Sequence, residues 1–253
     1  MTALSSIATL VDAFGLPSDS RVDMRVPKKM LVEQGAPTAA DKRIILDGID
    51  ELHWVAACKP AIIGVPSFKD DIREYQEVAA VGCVLRSEAK TTRLIELIHR
   101  AIPYPVLLIT TDGEGATLSL AHKRQAEREA GRVVIDRVVT TGPIQGTAVD
   151  QAFLASLALK GQPRHNLHTL YEGWFARVEA LQAARASGVY RATDDRTAVQ
   201  RRREALENHT RLQREIALMC VKARREKQMK GRVDLNLQIQ RLQAALADLK
   251  TEL

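Results

Sequence analysis

The chain has 253 residues, 45% apolar and 4% aromatic, and its 37 Lys and Arg exceed its 31 Asp and Glu by six charges. That length accommodates one substantial core with an appendage or two modest domains, and so few aromatics exclude a core built on stacked rings or an aromatic platform for bases. No segment approaches the roughly 18 uninterrupted apolar residues of a membrane span, and the first residues lack the charged start and apolar run of a secretory signal, so a cytoplasmic protein is expected.

Leu4 to Phe14 carries apolar residues at helical spacing and is closed by Gly15-Leu16-Pro17. Val22, Met24 and Val26 alternate as a short strand stopped by Pro27. Thr38 is placed to cap a second helix whose inner face is Ile44, Ile45, Leu46 and Ile49. Leu52 to Cys58 and Ile62 to Val65 read as strands broken by Lys59-Pro60. Glu77 to Leu85 is small or apolar at almost every position, the composition of an inner strand.

Thr91 to Ile102 returns to helical spacing through Leu94, Ile95, Leu97 and Ile98 and ends at Pro103. Val106 to Thr110 and Ala116 to Ala121, joined across Asp112-Gly113-Glu114-Gly115, predict a β-hairpin, and Val133 to Thr140 an edge strand. Beyond Gly142, Pro143 and Gly146 the pattern is helical: Ala148 to Leu159 and Leu167 to Ala186, separated by Gly161-Gln162-Pro163, then long helices from about Thr197. The expected architecture is therefore α+β. A mixed, largely antiparallel sheet with flanking helices occupies residues 1–160, and a helical region occupies 161–253.

Charge is concentrated near the end. Between Arg201 and Arg232 there are eleven Lys or Arg against four Glu, a local excess of +7 that is larger than the net charge of the chain. On a helical wheel Ala205, Leu212, Ile216, Met219 and Ala223 fall within about 60° of one another. Arg203, Arg211, Arg214, Lys222 and Arg225 cover about 100° on the opposite side. The helix of about 197–230 is thus expected to have a packing face and a cationic face. Leu235, Ile239, Leu242, Leu246, Leu249 and Leu253 recur at intervals of four and three, a heptad seam over about 233–253. Either the two helices form an antiparallel hairpin, or the heptad helix pairs with a partner helix or a second copy of the chain through Leu235, Ile239, Leu242, Leu246 and Leu249.

Motifs for chemistry are scarce. No Gly-rich loop with Lys and Ser/Thr precedes a helix, and the glycines around Glu114 lie between strands, which argues against nucleotide and dinucleotide fingerprints. Cys58, Cys83 and Cys220 are widely separated and read as free thiols. His165 and His168 lack a metal-site context, while His99 and His122 stand beside basic residues at element ends. Asp70, Asp71, Glu77 and Lys123 are the sole nominees for a metal-dependent nuclease, without the paired carboxylates such a site needs. No catalytic residue, metal or cofactor is expected.

Arg25-Val26-Pro27-Lys28-Lys29, Ile49-Asp50-Glu51-Leu52-His53-Trp54, Glu77-Val78-Ala79-Ala80-Val81, His99-Arg100-Ala101-Ile102-Pro103-Tyr104-Pro105, Ser119-Leu120-Ala121-His122-Lys123-Arg124, and Glu226-Lys227-Gln228 with Asp234-Leu235-Asn236 follow one another as in a bacterial family, domain of unknown function 4391. The chain resembles that family from about residue 20 to its end. The resemblance implies a setting beside helicases and DNA methyltransferases, typical of antiphage islands, and it implies no catalytic residue. Lys28, Lys29, Arg100, Lys123 and Arg124 within these motifs would form a second basic patch if they converge.

The function expected from these observations is a non-enzymatic accessory protein that binds DNA or RNA non-specifically through the basic helix, docks a helicase or methyltransferase, or does both. A purely structural protein-interaction subunit and a cryptic metal-dependent nuclease are the alternatives.

Overall fold

Helix α1 (Ala3–Ala13) runs until Gly15, whose φ of +56° suits a residue without Cβ. This computed structural model describes residues 3–113, 115–125, 133–250 and 253. Strand β1 (Arg21–Arg25) leads past Pro27 into α2 (Lys28–Gly35) and then α3 (Ala39–Gly48). The Thr38 side chain accepts from the backbone N–H of Asp41 at 3.1 Å, the expected cap. Strand β2 (Ile49–Cys58) follows without a loop.

Ile62 to Val65 departs from expectation. Pro60–Ile63 is a single helical turn, α4, with proline at its first position and Gly64 in the left-handed region at φ +64° to end it. A short apolar run carries no period that separates strand from helix, and Pro60, with its fixed φ, starts the turn. Next come two-residue strands, β3 (Phe68–Lys69) and β4 (Glu74–Tyr75), joined through a turn in which Asp70 accepts from the N–H groups of Ile72 and Arg73. They are too short for alternation to reveal them.

Strand β5 (Val78–Leu85), helix α5 (Thr91–Ala101), β6 (Val106–Thr111), β7 (Ala116–Gln125) and β8 (Val133–Thr140) complete the sheet. Among the described residues its order is β1-β2-β5-β6-β7-β8, with β5 and β6 parallel across α5 and every other pair antiparallel. The fold class is thus as expected, down to the β6–β7 hairpin, the buried inner strand β5 and the edge strand β8. Glu114 of the hairpin turn lies outside the described residues.

Helices cover both faces. On one, Leu31 of α2, Ile45 of α3 and Leu94, Leu97 and Ile98 of α5 pack on Ala79, Val81, Cys83, Val106 and Leu108. Gly35 permits the closest approach there, because a Cβ would stand 2.6 Å from the Ala101 Cβ and 2.8 Å from the Leu97 carbonyl oxygen. On the other face lie α1 and α7 (Leu167–Ser187), with Phe14 edge-on to Trp174 at 5.3 Å. The Tyr171 hydroxyl donates to the Val106 carbonyl and accepts from the Ala121 N–H, both at 2.9 Å. It thereby joins β6 and β7 beyond their last paired residues, Leu108 and Ser119.

After α6 (Ala148–Ser156), capped by Thr147 and Asp150 in a reciprocal box, a tight turn at Leu159–Gly161 leads towards α7. The chain forms two compact units, Met1–Val178 and Glu179–Leu253, so α7 begins in the first and ends in the second.

In the second unit α8 (Arg196–Arg225) starts at Asp195, whose carboxylate accepts from the Ala198 N–H at 2.8 Å, and α9 (Met229–Lys250) follows after three residues. The two helices pack together as a hairpin. Ala205, Leu212, Ala223 and Ile239 are buried at their seam, and Leu253 and Leu249 close it against Ala183 and Ala205.

Candidate functional site

The cationic residues of α8 fall into two groups. Arg203 is only 24% exposed at its side chain and donates through Nε to Oε1 of the fully buried Glu179 at 3.0 Å, so its charge is held inside the unit. Arg211, Arg214, Lys222 and Arg225 are exposed, and none has a side-chain hydrogen bond or ion pair among the described residues. Fourteen residues of helix separate the first from the last, about 21 Å. Lys222 and Arg225 also belong to the last turn of α8, where positive charge complements the carbonyl end of the helix. Leu218 and Val221, 65% and 45% exposed, stand on the same face as the four cations.

The heptad residues face inward. Ile239 lies with Cys220 and Ala223 of α8 around one cavity, Leu249 packs on the Ala183 and Ala205 cluster, and Leu235, Leu242 and Leu246 are half-buried. The seam is thus occupied within the chain.

The five cations of the sequence motifs are not brought together. Lys28 donates to the Ile49 carbonyl, and Ile49 lies at the sheet end shared by Leu85, Thr111 and Ala116. Lys29 pairs with Glu33 at 3.6 Å. Lys123 and Arg124 lie toward the other end of β7. There Arg124 pairs with Asp136 at 2.8 Å, and Arg100 pairs with Glu96 at 3.0 Å. Lys123 is 6% exposed and points to the α5 side of the sheet, donating to the carbonyls of Ile102 and Tyr104 at 2.7 and 2.6 Å. Burial lowers its ammonium to about 7. The carbonyl of Ile102, the C-cap of α5, and that of Tyr104 in the loop beyond it favour the charged form.

The nuclease nominees do not assemble. Asp70 is engaged in its turn, Asp71 is exposed, and Glu77 sits 4.0 Å from Lys59. Among the described residues no group of three or more His, Cys, Asp or Glu is arranged to hold a metal ion. Cys58 and Cys83 are buried thiols, both pushed up to about 12 by desolvation.

The structure also assembles residues that the sequence leaves apart. His122 alternates to the face opposite Lys123, where its Nδ1 is 3.1 Å from the Tyr75 hydroxyl, its Nε2 is 3.0 Å from Glu172, and its ring stacks on Phe175 at 4.2 Å. His168, one turn before Glu172, stacks on Phe68 at 4.8 Å, and burial lowers its basicity while Glu172 opposes that shift. The i, i+4 spacing of His168 and Glu172 was the available signal. His99 is buried against Ser119 at 3.0 Å, and desolvation holds it neutral, well below the usual histidine range.

These features define an α+β protein with a sheet covered on both faces and a helical hairpin whose outer flank is cationic. The chain belongs to the family described as Domain of unknown function (DUF4391), whose model matches residues 14–246. No curated protein and no solved structure matches the chain. No described helix is long and apolar enough to cross a membrane.

Proposed function

We propose that this protein is a non-enzymatic accessory factor, acting in the cytoplasm, that binds nucleic acid without sequence preference along the outer face of α8. The reading rests on one observation: Arg211, Arg214, Lys222 and Arg225 are exposed and free of carboxylate partners, opposite the buried seam. Such a row meets successive phosphates and releases their counterions, which supplies affinity without reading bases. Leu218 and Val221 add apolar contact to sugars on the same face. A helicase or DNA methyltransferase is the partner this role would serve, as the family's expected setting suggests.

Fluorescence anisotropy with a labelled 20-base-pair duplex tests the reading. Wild-type protein should bind with a Kd on the order of 10⁻⁵ M at moderate salt, as non-specific binders do. Changing Arg211, Arg214, Lys222 and Arg225 together to Gln should weaken binding by at least about 10-fold with unchanged helicity. Equal affinity for the two proteins would remove α8 as the interface.

A further inference from the structure

A cavity of about 240 Å³ lies in the first unit between the β3–β4 turn at Ile72, the Pro103-Tyr104-Pro105 loop and the adjoining ends of β7 and β8. Its lining includes Glu74, Gln76, Tyr104 and Lys123. Lysine is seldom buried so fully without a counter-ion, since its four-carbon stem normally lets the ammonium reach water. Here the side chain is 6% exposed and has no ion pair among the described residues. Two backbone carbonyls take two N–H groups and leave one tetrahedral position of Nζ unused by the protein.

Of the other charged groups lining the cavity, Arg124 is engaged by Asp136 at 2.8 Å, whereas hydrogen bonds from Gln76 and Lys69 favour the ionised form of Glu74, whose negative charge makes an anion a poor complement. An uncharged electrophile meets no such repulsion. We propose that the cavity binds a small aldehyde and captures it reversibly as an imine on Nζ of Lys123. The Nζ lone pair attacks the carbonyl carbon, and the carbonyl π electrons move to oxygen to give a carbinolamine. That species loses water, which carries away the aldehyde oxygen and both amine protons, and a C=N bond remains. Uptake of one proton from solvent gives the protonated imine, whose N–H can be donated to the Ile102 or Tyr104 carbonyl. Desolvation favours the nucleophilic neutral amine near neutrality, as in other buried reactive lysines.

Reductive trapping on the intact protein tests this without a variant that must fold. Formaldehyde, or in a second arm glyoxylate, is added with cyanoborohydride at pH 7.5, and peptide mass mapping follows each lysine. Lys123 should be modified by formaldehyde at least about 10-fold faster than Lys29, which is exposed and paired with Glu33 rather than desolvated. Glyoxylate should react more slowly at Lys123 than formaldehyde does, owing to Glu74. Gln76→Trp, at the exposed lip, should slow Lys123 and leave Lys29 unchanged. Slower labelling of Lys123 than of Lys29 by formaldehyde, or faster labelling by glyoxylate than by formaldehyde at Lys123, would overturn the assignment.

Discussion

The two compact units place their positive charge in opposite ways. In the first, Lys123 is buried on backbone carbonyls, while Arg100 and Arg124 are matched to Glu96 and Asp136. In the second, Arg211, Arg214, Lys222 and Arg225 are left to solvent, and only Arg203 among the five wheel residues is tied inward. Counting cations along a sequence measures charge, whereas binding depends on charge that is not already engaged. The difference cuts the expected phosphate contacts on α8 from five to four.

The comparison can be broken most sharply at the inward-tied arginine. Replacing Glu179 by Ala leaves Arg203 without its buried acceptor, and removing one member of such a pair costs about 3–5 kcal/mol. Urea denaturation followed by circular dichroism should show a loss of that size in the second unit, and a loss below about 1 kcal/mol would mean the pair is wetter than its geometry implies. Tyr171→Phe comes next. It removes the hydroxyl joining β6 and β7 and leaves the Ala121 N–H without that acceptor, at about 1–3 kcal/mol. Amide exchange at Ala121 should accelerate while exchange in α9 does not change.

A smaller effect concerns pH. His99 is held neutral in the folded protein by desolvation, with Lys123 nearby adding to the shift. Its folded pKa lies below its unfolded value, so its neutral burial costs nothing extra above about pH 6.5 and stability falls as pH drops below that. The decline should approach about 1.4 kcal/mol per pH unit at most, the slope for one proton. His99→Gln should flatten it between pH 6.5 and 5, and an unchanged slope would locate the proton uptake elsewhere. The least effect is expected at the free cations. Arg211→Gln should change stability by no more than about 0.5 kcal/mol, as is usual for an exposed substitution.

Local order was the legible part. Thr38 announces a cap, Gly113 and its neighbours a hairpin turn, and the heptad leucines a helix with an apolar seam, though not whether that seam pairs within the chain. Each signal sits within a few residues of the structure it specifies. Ile62 to Val65 reads as strand because so short an apolar run fits either period. Lys123 reads as a member of a basic patch, because its actual direction depends on strand alternation and on the carbonyls that follow α5, some twenty residues earlier. The partnership of Arg203 with Glu179 spans two helices, and nothing in either segment alone signals it. Tyr75, His122, His168 and Glu172 meet only because a two-residue hairpin, β7 and α7 converge.

The salt dependence of duplex binding tests the central claim most directly. With four free cations on α8 engaged, the logarithm of the binding constant should fall against the logarithm of salt concentration with a slope of about −3.6, reduced by about 0.9 for each of Arg211, Arg214, Lys222 and Arg225 changed to Gln. A slope near zero, or one indifferent to those four changes, would contradict it.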